Sequence, residues 1–383
     1  MNSLEYWLWL SALEISAVAR AALLERFGTP KAVYNASEMM LTGIRGLSGR
    51  EAALVAANRD EERVRTIRRA CDAEQIDILT AGDARYPERL QNIYAPPAVL
   101  YVRGRLPFID EEAAIAVIGT RKASEQGIRI GRQLAGEISA CGGLVISGLT
   151  AGVDAAAAEG VLAMDGICVG VLGTPHGKSA VKLADEVSRR GAVLSEYPPE
   201  MPQQRSFYRE RNRIAAGLSV GTVVVEAPEK SGTRLFAREA VEQGKDIFAV
   251  PGFAEAPLSA GPNRLIEEGA RPITSGWEIM SEYTHLFPDK VHPAAAEEER
   301  DANEKEIDKE NSKEYIDFRK RLESLSAEQL SVIAAIEREG SYVDEIIEAS
   351  GLPAGKVLAQ LTVLEIRGFV RRDAGKRYFL AIF

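Results

Sequence analysis

Six short apolar runs separated by helical patterns constrain the fold of this chain more than any other feature. They are AAIAVIGT (113–120), GLVISGL (143–149), ICVGVLG (167–173), AVLSEYP (192–198), TVVVEAP (222–228) and DIFAVPG (246–252). A run that is apolar almost throughout, rather than at alternate positions, reads as a strand buried on both faces. Helices between such strands cover those faces and carry the crossovers that parallel pairing needs. The expected fold class is α/β, a doubly wound parallel sheet. At their C-terminal ends the strands carry small or polar residues: Gly119, Thr120 and Arg121; Ser147 and Gly148; Gly173; Ser195 and Glu196; Glu226; Pro251 and Gly252. Ligands of open α/β sheets bind at that edge. Glycines there let backbone approach a ligand, and the helices that follow present free N–H groups to phosphate.

A second feature points to the ligand. The segment Arg205 to Arg213 holds four arginines (Arg205, Arg209, Arg211, Arg213) against one glutamate, a local +3 in a chain of net charge −9. It also holds Phe207, Tyr208 and Asn212. Guanidiniums neutralise phosphates, and neighbouring rings stack on unpaired bases, so the cluster suits single-stranded nucleic acid. A solvated amphipathic helix start is the competing reading. The pI near 5.3 excludes a generic polyanion binder, so any nucleic-acid site must be local.

The length of 383 residues implies two or three domains. Residues 1–80 read as helical, with Leu10, Leu13, Ile15, Val18 and Ala22 at helical spacing. Residues 81–288 hold the sheet. Residues 289–322 read as a charged linker: from Glu297 to Asp317, ten acids face four bases. Residues 323–383 form a small terminal domain.

Several chemistries find little support. No G-x-G-x-x-G follows the first strand. Gly173 to Ser179 resembles a P-loop but has three residues between its glycines where four are needed, and lacks an acidic magnesium partner. The histidines are three (His176, His285, His292), and no nucleophile elbow or metal cluster stands out. No catalytic residue, metal or cofactor is expected. Glu196 and Glu226 are the carboxylates that an enzyme on this sheet would use. Asp154 opens a helix and reads as an N-terminal cap. The three cysteines, Cys71, Cys141 and Cys168, stand far apart and suit a reducing cytoplasm. The apolar opening YWLWLSAL is too short to span a bilayer and reads as a core helix, so no membrane role is expected.

In order along the chain, these motifs resemble the DNA-processing protein A family (DprA, also called Smf). The resemblance runs over nearly the whole chain. It is carried by Tyr86 to Leu90 with Pro96 to Gly104, by Val117 to Arg121, by Ser147-Gly148 with Ala151 to Asp154, and by Leu194 to Pro198. The arginine segment resembles the family's F-P-x-R-N-R signature. Glu226, Ser231 to Thr233, Ala249 to Gly252 and Gly261 to Ala270 complete the series. The resemblance implies a single-stranded DNA-binding protein without established catalysis. It would protect incoming DNA during natural transformation and load the RecA recombinase. It further implies an extended Rossmann-like sheet and a homodimer. Carried over by position, Gly119, Thr120, Arg121, Ser147, Gly148, Gly152, Phe207, Arg211, Asn212, Arg213, Ser231 and Gly232 would line a phosphate pocket, and Arg205 and Arg209 join them from the charge pattern. The chain departs from the family at Tyr208 (usually proline), at Ala158 (commonly histidine), at Phe236 within a bulkier run after Ser231, and at His176 and Lys178.

The flanking zones leave alternatives open. Leu41 to Ser48, with Gly43 and Gly46 around Ile44, resembles the hairpin of a helix-hairpin-helix module, whose amides meet a DNA phosphate. A glycine-rich turn in a bundle of the sterile-alpha-motif kind fits equally. The C-terminal zone reads helix (328–339), helix (342–350), a turn at Gly351, helix (354–367), then a hairpin around 373–376, a winged-helix pattern. Val357, Leu358, Leu361, Leu364 and Ile366 of its third helix read as largely core. Arg367, Arg371, Arg372, Lys376 and Arg377 against Asp373 make the wing basic, yet residues 323–383 total seven bases and nine acids. Two rivals remain: an enzyme acting on a nucleotide or other phosphate ligand, and a winged-helix transcription regulator that would prefer duplex.

Overall fold

The structure, a computed structural model, describes residues 1–178, 181–199, 201–294, 325–337, 340–373 and 376–380. It divides into two compact units, Met1–Ala294 and Ala295–Phe383. The first is built on a sheet of nine strands: β1 (Ile76–Thr80), β2 (Val99–Gly104), β3 (Ala114–Ile118), β4 (Leu144–Ser147), β5 (Cys168–Leu172), β6 (Ala192–Ser195), β7 (Gly221–Val224), β8 (Asp246–Ala249) and β9 (Arg271–Pro272). Their order is β1-β2-β6-β5-β4-β3-β7-β8-β9. Strands β3 to β8 are the six apolar runs, and they pair in parallel, as do β8 and β9. β2 lies antiparallel to β6 and to β1.

Alternate residues of these strands enter two separate cores, one on each face. Ala114, Ala116 and Ile118 of β3 belong to one; Ile115 and Val117 belong to the other. Both sets are apolar because both faces are covered by helices. From β3 the chain winds outward through β4, β5 and β6. It then returns to the far side of β3 as β7. Between β3 and β7 the winding reverses, which opens a crevice beyond their C-terminal ends.

The sheet extends past the expected boundary. Residues 76–80 fall in the zone expected to be helical, but they form β1, with Ile76 and Leu79 buried. Before it stand six short helices, Ser3–Ala12, Ala17–Phe27, Pro30–Tyr34, Glu38–Leu41, Gly49–Ala57 and Glu61–Ala73. Their starts follow capping chemistry: Asn2 with Glu5, Ser16, Thr29 before Pro30, Ser48 with Glu51, and Asp60. Their core includes Leu8, Trp9, Leu10 and Leu23, and it continues into Val99 and Tyr101 of the sheet. Among the described residues no helix is long and apolar enough to cross a membrane.

The Leu41–Ser48 turn has the backbone of a hairpin, with Gly43 at φ 80° and Gly46 at φ 90°. An anion already sits at the start of the helix that follows. The Glu51 carboxylate accepts from Ser48 N (2.9 Å) and Oγ (2.6 Å) and from Ser16 N (2.8 Å) and Oγ (2.7 Å). This internal ligation favours the structural reading of the hairpin over a phosphate site.

The second unit holds helices Ala327–Ala334, Val343–Ser350 and Ala354–Ile366 and the antiparallel pair β10 (Val370–Arg372) and β11 (Tyr378–Leu380). This is a winged helix. Gly351 closes the second helix at φ 66°. Val357, Leu361 and Leu364 are buried as expected, but Leu358 is 49% and Ile366 81% exposed. The helical period turns those two away from the face that the other three share. Of the expected linker, residues 295–322 lie outside the described residues, as do Ala374 and Gly375 of the expected hairpin. At its start, Val291 is buried and Lys290 pairs with Glu112 at 2.6 Å.

Burial alone would raise the pKa of Glu51, but the hydrogen bonds from Ser48 and Ser16 outweigh it and hold it near 2 rather than 4.5. The stabilisation is therefore complete above pH 4.5 and is lost as pH falls toward 2. Glu51→Gln is expected to cost about 1–3 kcal/mol at neutral pH and to flatten that acid-side loss, read from urea unfolding at a series of pH values.

Candidate functional site

Beyond the ends of β3 and β7 lies a cleft of about 490 Å³. Gly119, Thr120, Arg121 and Lys122 of the loop after β3 form one wall. Pro228, Ser231, Gly232 and Thr233 after β7 form another. Arg205, Tyr208, Arg209, Arg211 and Asn212 close it. Five cationic side chains (Arg121, Lys122, Arg205, Arg209, Arg211) thus meet at one acidic lining residue, Asp154. The geometry that produces this is helical. The segment forms two short helices, Ser206–Glu210 and Asn212–Leu218. Arg205, Arg209 and Asn212, spaced by four and three, share its open side, while Phe207, Arg211 and Ile214 turn inward.

Arg211 is the most constrained member. It is buried, and its Nη1 donates to Val171 O at 3.1 Å. Its Nε has no hydrogen-bond partner. Burial lowers its pKa, and nearby Asp154 opposes this. The Asp154 carboxyl is in turn raised by burial, against the pull of Arg211, Thr150 and the Gly119 amide. Its oxygens accept from Gly119 N at 3.3 Å and from Thr150 Oγ1 at 2.9 Å, and the expected role as helix cap falls to Gly152 instead.

Two expected glycines serve this cluster without lining the cleft. A Cβ on Gly148 would sit 2.0 Å from Arg211 Nη1 and 2.4 Å from Asp154 Oδ2. Gly152, at φ 86°, would place a Cβ 2.2 Å from Thr120 O. Ser147, also buried, donates to Asp154 O (2.8 Å) and accepts from Leu149 N (3.1 Å). Ser231 caps the helix Gly232–Glu242, whose first N–H groups have no partner within the helix. A Cβ on Gly232 would meet nothing within 4 Å.

Two expected contact residues point elsewhere. The Phe207 ring is buried and stacked on Tyr197, with centroids 3.6 Å apart and planes 12° apart. It anchors the segment and offers no free face to a base. Arg213 is likewise buried, and its Nη2 donates to both oxygens of Glu196 at 2.6 Å. Arg20, from the second helix, reaches the same carboxylate at 3.6 Å. Sequence reasoning missed Arg20, an arginine in an alanine-rich helix with no motif around it. Lys122 was missed too, although it adjoins Arg121.

The carboxylates considered for catalysis are engaged structurally. Glu196 is held between two arginines. Glu226 accepts from Ser124 N (2.9 Å) and Oγ (2.6 Å) at the start of helix Glu125–Ala140. Its backbone carbonyl accepts from Thr120 N at 2.7 Å. In the P-loop-like turn, His176 is buried and its Nε2 donates to Tyr101 O at 2.8 Å. Burial lowers its pKa, against the hydrogen bond to Tyr101. Among the described residues no group of acidic, histidine or cysteine side chains is placed to hold a metal ion. Arg234 pairs with Glu268 at 3.0 Å, and Lys356 of the winged helix pairs with Glu328 at 2.6 Å.

A cationic cleft at the switch point of a doubly wound sheet, lined by a helix start, marks an α/β protein of Rossmann-like architecture. The chain belongs to the DNA recombination-mediator protein A family, that of DprA and Smf. The family's model matches residues 77–284, and that of the DprA winged helix domain matches residues 319–376. DNA processing protein DprA of Bacillus subtilis is 36% identical over 54% of this chain and 71% of its own length. Protein Smf of Escherichia coli is 32% identical over 78% of this chain and 76% of its own. The X-ray structure of DprA from Streptococcus pneumoniae superposes with a TM-score of 0.57 at 28% identity, covering 74% of this chain and 99% of that one.

Glu196→Ala would leave Arg20 and Arg213 buried without their counter-charge. It is expected to cost about 3–5 kcal/mol, seen as a lower denaturant midpoint. Loss of less than about 1 kcal/mol would exclude the buried-pair geometry.

Proposed function

We propose that this DNA-processing protein binds single-stranded DNA in the cleft between β3 and β7 and delivers the strand to the RecA recombinase. One observation carries the reading: five cations converge on a cleft that holds a single, buried acid, and one of them, Arg211, keeps an unpartnered Nε. A concentration of positive charge with a helix start beside it suits the phosphates of a strand. The volume suits a nucleotide at a time rather than the width of a duplex.

Arg121, Arg205 and Arg209 carry the phosphate contacts at the open side, with Arg211, Asn212, Thr120, Ser231 and Gly232 deeper in the cleft. Gly119, Gly148, Gly152 and Ser147 shape it, and Phe207 and Arg213 brace it. In this reading residues 1–75, 76–288 and 323–383 act as helical module, DNA-binding sheet and winged helix, with 289–322 as a linker. The protein works in the cytoplasm as a homodimer and shields incoming DNA during transformation and recombination, as the family resemblance implies. The engagement of Glu196 and Glu226 with their neighbours weighs against the enzymatic alternative. The neutral character of the third winged-helix helix, with Lys356 already paired, weighs against a duplex-reading regulator.

Fluorescence anisotropy with labelled oligo-dT and a matched duplex across a salt series tests the reading. Tight, strand-selective binding is expected, with a log–log salt slope of about −0.7 for each phosphate neutralised. Arg121→Ala and Arg209→Ala, both at exposed positions, should each lower the slope by about one such increment without changing the unfolding midpoint. Duplex preference, or slopes that these variants leave unchanged, would refute the assignment. A strand-exchange assay with RecA then checks delivery.

A further inference from the structure

We propose that the outer face of the third winged-helix helix, Ala354–Ile366, docks against the same helix of a second copy of this chain, packed antiparallel. This rests on the reading above that copies of the chain associate, and assigns them a contact surface; what the cleft binds does not enter. The helical period puts Val357, Leu361 and Leu364 on the side that enters the core of this unit. The opposite side carries Gly355, Ala359, Thr362, Val363 and Ile366, with Leu358 at its edge, all of them exposed. Thr362 adds little polarity, since its hydroxyl donates to Leu358 O at 3.0 Å within the helix. Lys356 borders the face and is paired with Glu328 at 2.6 Å. A helix that reads duplex presents basic and amide side chains on this side. An apolar face left in water marks a protein contact.

The face is complementary to itself. Its bulk stands at one end, Ile366, and its hollow at the other, Gly355. A Cβ on Gly355 would meet nothing within 4 Å, so no contact within the chain calls for a glycine there, although glycine inside a helix costs up to about 1 kcal/mol. Turned end for end about a two-fold axis near Gln360 and Leu361, two such helices set Ile366 of each copy over Gly355 of the other, and Thr362 over Ala359. Small residues at the crossing let the two backbones come close. Charge selects the same direction. Antiparallel packing brings Glu365 of one copy to the end that carries Lys356 of the other, whereas parallel packing would align like charges. One helix pair covers less surface than a stable free dimer needs, so the contact is weak by itself and is best trapped covalently.

The experiment places single cysteines in the full-length protein and oxidises mildly; the native Cys71, Cys141 and Cys168 are all buried. A disulfide needs Cα atoms within about 7 Å. Ala359→Cys lies near the axis and should cross-link to its own copy. Gly355→Cys and Ile366→Cys should each stay uncross-linked alone, because the two copies of either would stand about 16 Å apart at the helical rise, and should cross-link when mixed. Added to Ala359→Cys, Ile366→Asp should cut the cross-linked yield roughly tenfold or more and leave the unfolding midpoint unchanged, and Ile366→Leu should keep the yield. Gly355→Cys or Ile366→Cys cross-linking alone as well as Ala359→Cys would mean parallel order or random collision. Absence of the Ala359→Cys and mixed cross-links, or a yield that Ile366→Asp leaves untouched, would place the contact elsewhere. Each of these overturns the proposal. Sedimentation velocity of the parent separates it from the reading beneath it. A parent that associates without these cross-links keeps the homodimer and loses this surface; a monomeric parent without them loses both.

Discussion

The buried contact of Arg213 and Arg20 with Glu196 holds the site together. Glu196 follows β6, Arg213 belongs to the arginine segment, and Arg20 comes from the second helix of the chain. Taking three charges out of water is costly, and the geometry offsets that cost only if each group finds partners. The bidentate bond to Arg213 and the donation of Arg20 to Leu13 O (3.3 Å) and Ile15 O (3.1 Å) supply them. The two arginines exceed the one carboxylate by a charge, and Arg20 Nε, Arg213 Nε and Arg213 Nη1 stay unpartnered. The cluster therefore fixes position more than it contributes stability: the segment can sit in only one way on the sheet edge.

Close backbone approach makes the cleft itself. Gly148 lets the Arg211 guanidinium pass beside Asp154, and Gly152 lets the start of helix Val153–Ala163 meet the loop after β3. Any side chain at either place would push a wall of the cleft outward. The stacked pair of Phe207 and Tyr197 packs the arginine segment down in a small core of its own. Arg211 is thus held against a partly compensating carboxylate while Arg121, Arg205 and Arg209 stay in solvent. A deep, pre-set cation with exposed cations at the rim is an arrangement suited to a polyanion.

Much of this was legible in the chain. The six apolar runs announced strands β3 to β8 because burial on both faces demands unbroken hydrophobicity. Gly119 to Arg121, Ser231-Gly232 and the arginine segment announced the switch-point edge, because strand ends and helix starts are where such residues collect. β1 stayed hidden: Ile76–Thr80 follows closely on an amphipathic helix, and Asp77 and Thr80 interrupt its apolar residues. Its three apolar residues are divided between two cores, Ile76 and Ile78 in one and Leu79 in the other, and make no unbroken run. Leu358 and Ile366 show the same limit from another side. Apolar character implied burial, but the helix period placed them in solvent.

The sequence by itself determined the α/β class, the edge of the sheet where glycines and helix starts collect and the positive charge of the segment beside it, since these follow from hydrophobic runs, glycine positions and local charge. Only the tertiary structure decided which of four arginines and two rings face the cleft. Phe207 and Tyr208 are neighbours in the chain, as Arg211 and Asn212 are. One turn of helix turns Phe207 away from the cleft and leaves Tyr208 on it, and sets Arg211 deep in the cleft with Asn212 at its open side. That choice depends on Tyr197 and Glu196, and on Arg20 almost two hundred residues away. Such contacts arise from packing between distant segments, and no local pattern in the chain records them.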